Sequence, residues 1–237
     1  MSEQALKGAR LMKGNERRVA WILAECLAWI HIRQDRYEVA KIELEEACSV
    51  FQQEADLFGL SRAMDHSGVL AQAQGNTEQS KFFLENALAL AVQINHEMEI
   101  ANVRNALGNL AFATQNYEDA WHQFEKAREI RERQRDLPHL ASTLCRLGDV
   151  TRVMGHYTKA RQLYTKSRDI AKDAHRTDLE PGIGQGLALL EEELGNLDTA
   201  LLLAEEANRG FQRLGIEAKV EETRAMVERL EGKLSVD

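Results

Sequence analysis

The chain has 237 residues, 29% of them charged and 6% aromatic, with two prolines (Pro138, Pro181) and a formal charge of −8. So little proline in a chain rich in Ala, Leu, Glu, Gln and Arg reads as nearly all helix and excludes a β-sandwich or barrel, and the acidic balance argues against a general nucleic-acid binder. The most apolar stretch, residues 19–32, is too short to span a membrane and carries Glu25 in its middle. The N-terminus lacks the apolar core of a signal peptide, and Cys26, Cys48 and Cys145 form no CxxC, which fits a reduced, cytoplasmic compartment.

In chain order, the predicted elements are paired helices. Residues 4–13 resemble the end of a second helix, so 1–15 reads as half of a preceding unit. Residues 16–55 supply a complete pair: an apolar helix, VAWILAECLAWIHI, a break at Asp35, and a helix bearing Ala40, Leu44 and Ala47. The pattern returns every forty residues. A small residue recurs at Ala40, Ser80, Ala120, Ala160 and Ala200. Leu44, Leu84, Phe124, Tyr164 and Ala204 follow four later, and Ala47, Ala87, Ala127, Ser167 and Ala207 seven later. These steps are helical. The units are 16–55, 56–95, 96–135, 136–175 and 176–215, and residues 216–237 form a lone closing helix with a polar outer face.

Each unit is therefore a helix A, a tight turn and a helix B. Small residues such as Gly108 and Ala120 let the two helices approach closely. The first A helix, with Trp21, Ile22, Leu27, Trp29, Ile30 and Ile32 spread round it, is apolar on all sides. Either the 4–13 helix covers its extra face, or Trp21, Trp29 and Ile32 form a self-association surface. In the fifth A helix, Asp178 is expected to cap and Pro181 to sit in the first turn. Gly182, Gly184 and Gly186 then mark either close packing on the preceding B helix or a soft joint.

Leu107-Gly108, Asn116-Tyr117, Ala120, Phe124 and Ala127 together resemble the tetratricopeptide repeat. The match runs over about residues 16–215, but the usual unit has 34 residues and here it has 40. The longer form looks like the arrays attached to bacterial signal-transduction ATPases and maltose-activator-type regulators. The resemblance implies an all-α, right-handed superhelical solenoid of antiparallel helix pairs, about eleven to twelve helices in all.

No catalytic constellation is readable, and no cofactor or metal is expected. His96-Glu97 lacks the second His of a zinc-protease helix, the cysteines read as small buried hydrophobes, and Pro181 to Gly186 lacks the β-strand that a dinucleotide loop needs. The basic run Lys126, Arg128, Arg131, Arg133 and Arg135 is interleaved with glutamates and reads as a solvated face.

The resemblance places partner-binding residues on the A-helix face of a concave groove. In the first unit that face holds Ile22, Glu25, Trp29 and Ile32, and in the second Arg62, Asp65, Val69 and Gln72. The third supplies Asn102, Asn105, Asn109 and Phe112, and the fourth Ser142, Cys145, Asp149 and Arg152, with Arg146 alongside. The fifth adds Gln185, Leu189 and Glu192. Side-chain amides at three- and four-residue steps suit the N–H and C=O of an extended peptide, or they form an ordinary wet face. Arg62, Arg146 and Arg152 either fix acidic groups of a ligand or pair with Asp65 and Asp149. The expected function is a non-catalytic scaffold that binds a peptide or helix of another protein. The alternatives are a sensor arm of a bacterial signalling or transcription regulator, and a signal-peptide or small-molecule receptor.

Overall fold

The structure, a computed structural model, describes residues 16–235; the proposed 4–13 helix lies outside the described residues. The first A helix is not continuous. It runs as α1 (Glu16–Ile22), a π-helical segment (Leu23–Ala28) and α2 (Trp29–Arg33). There follow α3 (Tyr37–Gln53), α4 (Leu57–Ala73), α5 (Thr77–Gln93) and α6 (Glu97–Ala113). Next come α7 (Tyr117–Gln134), α8 (Leu137–Val153), α9 (Tyr157–Asp173), α10 (Glu180–Glu193), α11 (Leu197–Leu214) and α12 (Glu217–Leu234). Among the described residues all regular structure is helical.

The helices end by one repeated device. A residue with left-handed backbone follows each helix from α2 to α11, at Asp35, Ala55, Gly75, Asn95, Gln115, Arg135, Gly155, His175, Gly195 and Gly215. These positions are twenty residues apart. The next amide then reaches back to a carbonyl five residues earlier, as in Asn76 N–H to Ala71 O at 2.9 Å and His156 N–H to Thr151 O at 2.8 Å. Glycine adopts this conformation without a Cβ clash, yet six of the ten positions carry side chains. That is why glycine spacing alone shows only part of the period.

Starts are equally legible. The Asp56 carboxylate accepts from Gly59 N–H at 3.0 Å, and the Asn76 side chain from Gln79 N–H at 3.2 Å. His96 Nδ1 accepts from Glu99 N–H at 3.2 Å, so this histidine caps α6. The expected Asp178 cap is not formed. Helix α10 starts three residues late, at Glu180, with Leu179 at the cap position, while Asp178 receives two 2.7 Å bonds from Arg176. Pro181 does sit in the first turn.

The chain divides into two compact units, 1–116 and 117–237. In the first, α3 packs on the π segment and each later helix on its predecessor, and the A helices α4 and α6 also touch. Its core holds Leu23, Leu27, Ala40, Leu44, Phe51, Leu60 and Leu70, with Leu84, Val103 and Leu110 in a second cluster. In the second unit α7 to α12 pack in sequence, and the A helices α8 and α10 touch. Its core centres on Tyr164, Ile183, Leu187 and Leu190. All the predicted column residues of helices B are buried in both units.

Close approach is visible at particular glycines. A Cβ on Gly68 would lie 2.6 Å from the Leu84 side chain. A Cβ on Gly148 or on Gly186 would lie 2.6 Å from the Tyr164 ring, which is thus clasped between two A helices. Close packing therefore accounts for Gly186. It does not account for Gly182, which has open space around it, and Gly184 is in ordinary contact at 3.7 Å. Each unit also ties an A helix to its B helix by a buried hydroxyl. Ser61 donates to Ala87 O at 2.9 Å, and Ser167 to Ala141 O at 2.7 Å, the same contact with the donor on the other helix.

Candidate functional site

In the first unit, the A helices bring Glu25, Arg62, Asp65, His66, Glu99 and Asn102 together. Arg62 is the hub. Its Nε donates to Glu25 Oε1 at 2.8 Å, its Nη2 pairs with Glu25 Oε2, and its Nη1 donates to Glu99 Oε2 at 3.2 Å. Asn102 Nδ2 donates to the same Glu99 oxygen at 3.3 Å, and His66 Nε2 lies 3.4 Å from Glu25 Oε1. The expected Arg62–Asp65 pairing is thus replaced by Arg62 bridging Glu25 and Glu99. His66 and Glu99 were not singled out by the sequence. The signal that finds them is the separation: Arg62 meets Glu25 and Glu99 at thirty-seven residues on either side, one forty-residue period less about one helical turn.

The electrostatics follow from burial. Burial alone would raise the Glu25 carboxyl, but the bonds from His66 and Arg62 overcome it and hold it at about 2. Asp65 has no such relief. Burial pushes it from 3.8 up to about 6; His66 and Arg62 pull it down, Glu99 and Glu25 push it up. Asp65 Oδ1 and Glu99 Oε1 are buried without a hydrogen-bond partner.

Asn102, Asn105 and Asn109 are half-buried on α6, as are Gln72 on α4 and Phe112 on α6. Of the three apolar residues expected to form a self-association surface, Trp29 alone is exposed, at 41%. Ile32 is 7% exposed and lies in the core, and Trp21 packs its ring 5.2 Å from Phe51 and 5.5 Å from Phe58.

In the second unit, the A-helix residues close on one another. Arg146 Nη1 donates to Asp149 Oδ2 at 3.2 Å, and the Tyr164 hydroxyl donates to Asp149 Oδ1 at 2.8 Å. Arg152 pairs with Glu193 instead of Asp149. Gln185 donates to Glu222 at 2.7 Å, and Arg229 grips Glu192 with bonds of 3.0 and 2.7 Å; both pairs again stand thirty-seven residues apart.

Two expectations about reactive or basic groups change. Cys26 is exposed, on the outer side of the π segment, while Cys48 and Cys145 are half-buried. Burial pushes the Cys48 thiol up to about 11 and raises Cys145 as well, the opposite of nucleophile activation. In the basic run, Arg128 is held by Glu125 at 2.6 Å and by Glu132 at 2.5 Å, as a solvated face would be. Arg131 is instead 3% exposed; it donates to His139 O at 2.9 Å and pairs with Thr143. Among the described residues no group of three or more His, Cys, Asp or Glu is placed to hold a metal, and no helix is long and apolar enough to cross a membrane.

No curated protein matches the chain in sequence. Among solved structures, the chain is similar to a signal transduction ATPase with numerous domains and a tetratricopeptide repeat sensor from Pyrococcus horikoshii. The TM-score is 0.76 at 18% identity, covering 95% of this chain and 33% of that one. It is also similar to a Rap protein complexed with competence and sporulation factor, with a TM-score of 0.70, 16% identity, and 99% and 69% of the two chains covered. A third likeness is to the Rap conjugation gene regulator of plasmid pLS20 in complex with the Phr* peptide, with a TM-score of 0.71, 16% identity, and 97% and 68% covered. Residues 99–173 match the tetratricopeptide repeat family. That match covers the middle of the chain, and the same helix pair, in the tetratricopeptide arrangement, is repeated in both units.

Proposed function

We propose that the chain is a non-catalytic interaction scaffold that binds a peptide or helical segment of another protein along its A-helix face. The observation that carries this reading is the first unit's A-helix face, where half-buried amides of α6 adjoin buried carboxylate oxygens that have no donor. Such a face offers both donors and acceptors to a peptide backbone and its side chains. Two of the similar structures are described as complexes, one with competence and sporulation factor and one with the Phr* peptide, which supports the same use here. The residues assigned to the site are Arg62, Asp65, Gln72, Asn102, Asn105, Asn109 and Phe112, with Arg146, Asp149 and Arg152 as a more self-paired set in the second unit.

The second reading, a sensor segment of a larger signalling regulator, rests on the likeness to the archaeal signalling ATPase, of which this chain matches a third. The two readings share the ligand-binding face and differ in what the binding controls. The test is selection of a displayed random-peptide library on the full chain. The scaffold reading predicts enriched peptides whose affinity falls about tenfold, about 1.4 kcal/mol, when Asn105 and Asn109 are both replaced by Ala, with an unchanged thermal midpoint. Failure to enrich any peptide, or identical affinity for the double variant, contradicts it.

A further inference from the structure

The first unit's polar cluster does not balance its own charge. Glu25, Asp65 and Glu99 supply three carboxylates, and Arg62 supplies one guanidinium, already spent on both Glu25 oxygens and one Glu99 oxygen. His66 Nε2 lies 3.4 Å from Glu25 Oε1. Two of the remaining oxygens are buried without a partner, Asp65 Oδ1 and Glu99 Oε1, and both belong to side chains at least nine-tenths buried: Asp65 is 9% exposed and Glu99 1%. An unpaired buried acceptor ordinarily costs about 1–3 kcal/mol, more when charged, so a fold that keeps two of them in one cluster is holding places for donors.

We propose that this cluster is a subsite for an organic cation of a bound peptide, a guanidinium or ammonium group whose N–H donors fill the open oxygens of Asp65 and Glu99. The inference rests on the peptide-binding reading above and names the chemistry that reading lacks. Several observations select this class of ligand. The acceptors lie on two neighbouring helices, α4 and α6, and a multi-donor cation serves both. No three His, Cys, Asp or Glu side chains among the described residues are set to chelate a metal. At the rim stands Trp29, exposed on α2, with its ring 5.9 Å from that of His66, an aromatic face beside which a cation is favoured. An anion is excluded by the surplus of carboxylates.

A side chain of Arg or Lys and a free peptide N-terminus all carry this chemistry, and the test separates them. The full chain, labelled at Asp and Glu carboxyl carbons, is titrated with N-acetyl-argininamide, N-acetyl-lysinamide, alaninamide and, as the neutral control, N-acetyl-alaninamide. The signals of Asp65 and Glu99 are expected to move with at least one cationic probe and not with the neutral one. Asp65→Asn and Glu99→Gln, which keep shape, should each weaken that probe at least tenfold, and Asp65→Asn should keep or raise the thermal midpoint. Whichever cationic probe binds tightest names the source of the charge.

If no cationic probe moves either signal, or if Asp65→Asn binds as wild type does, the subsite is overturned. The peptide library keeps the two ideas apart. Peptides that enrich without a cationic preference, and bind Asp65→Asn unchanged, overturn the subsite and leave the scaffold standing. A cationic probe that binds at Asp65 while no peptide enriches does the reverse.

Discussion

The two units carry the same helix pairs and treat charge on their A helices differently. In 117–237, Asp149, Glu192 and Glu193 each meet a donor from a neighbouring side chain, and Glu192 takes three bonds from Arg229 and Lys233. In 1–116, one arginine serves two glutamates, and Asp65 keeps a buried oxygen without a partner. The fold does not dictate either outcome, since i to i+37 pairing operates in both units. What differs is which residues occupy the paired positions. A self-satisfied face is a structural seam, whereas an unsatisfied one stores electrostatic cost that a ligand can relieve.

This contrast can be broken most severely at its hub. Arg62→Met leaves Glu99, almost fully buried, facing Glu25 and Asp65 without a counter-charge. Chemical denaturation should show a loss of about 3 kcal/mol, and a loss under 1 kcal/mol would mean that the first unit does not depend on the bridge. In the second unit the comparable weak point is packing. Gly186→Ala drives a methyl into the Tyr164 ring and should cost about 2 kcal/mol by the same measurement, with less cost if Tyr164 can swing.

Asp65→Asn sharpens the comparison because its sign is opposite. The folded-state pKa is raised, from 3.8 to about 6, by burial, by Glu99 and by Glu25, against His66 and Arg62. The folded chain therefore holds that proton more tightly than the unfolded chain. Stability from this group is full below about pH 4 and lost as pH rises through about 6. At pH 7.5 the neutral amide should gain about 2 kcal/mol over wild type, and the gain should vanish near pH 4. A destabilised variant at pH 7.5 would show that Asp65 is satisfied after all. The smallest effect is at Gly182→Ala, where a Cβ meets open space in the first turn of α10. It should add about 0.5 kcal/mol, and a loss would point to strain there.

Most of the architecture was legible because it repeats. Forty-residue columns of small and large residues predict burial at Ala40, Leu44 and Ala47 and at each of their equivalents, and those positions are buried. Periodicity is blind where the chain departs from it. Asp178 is expected to cap α10, but it pairs with Arg176 instead and the helix begins at Glu180, with Leu179 at the cap position. Periodicity also misses the π-helical segment at Leu23–Ala28. In the candidate site, Glu25, Arg62 and Asp65 were visible as residues on one face. Their partners were not, since a charge pattern along one helix does not say which residue of the next helix it meets. Once the lateral offset is known to be thirty-seven, Glu99 follows from Arg62 directly.

The central claim is that Asp65 in the first unit keeps a buried carboxylate oxygen without a donor, while Asp149, Glu192 and Glu193 in the second unit each meet one. The most direct measurement is the titration of the Asp65 carboxyl carbon in the full chain by NMR, with and without the cationic probe that binds best. A midpoint near 6 that drops toward ordinary carboxylate values when the cation is added is the predicted result. A midpoint near 4 that the cation leaves unmoved would contradict it.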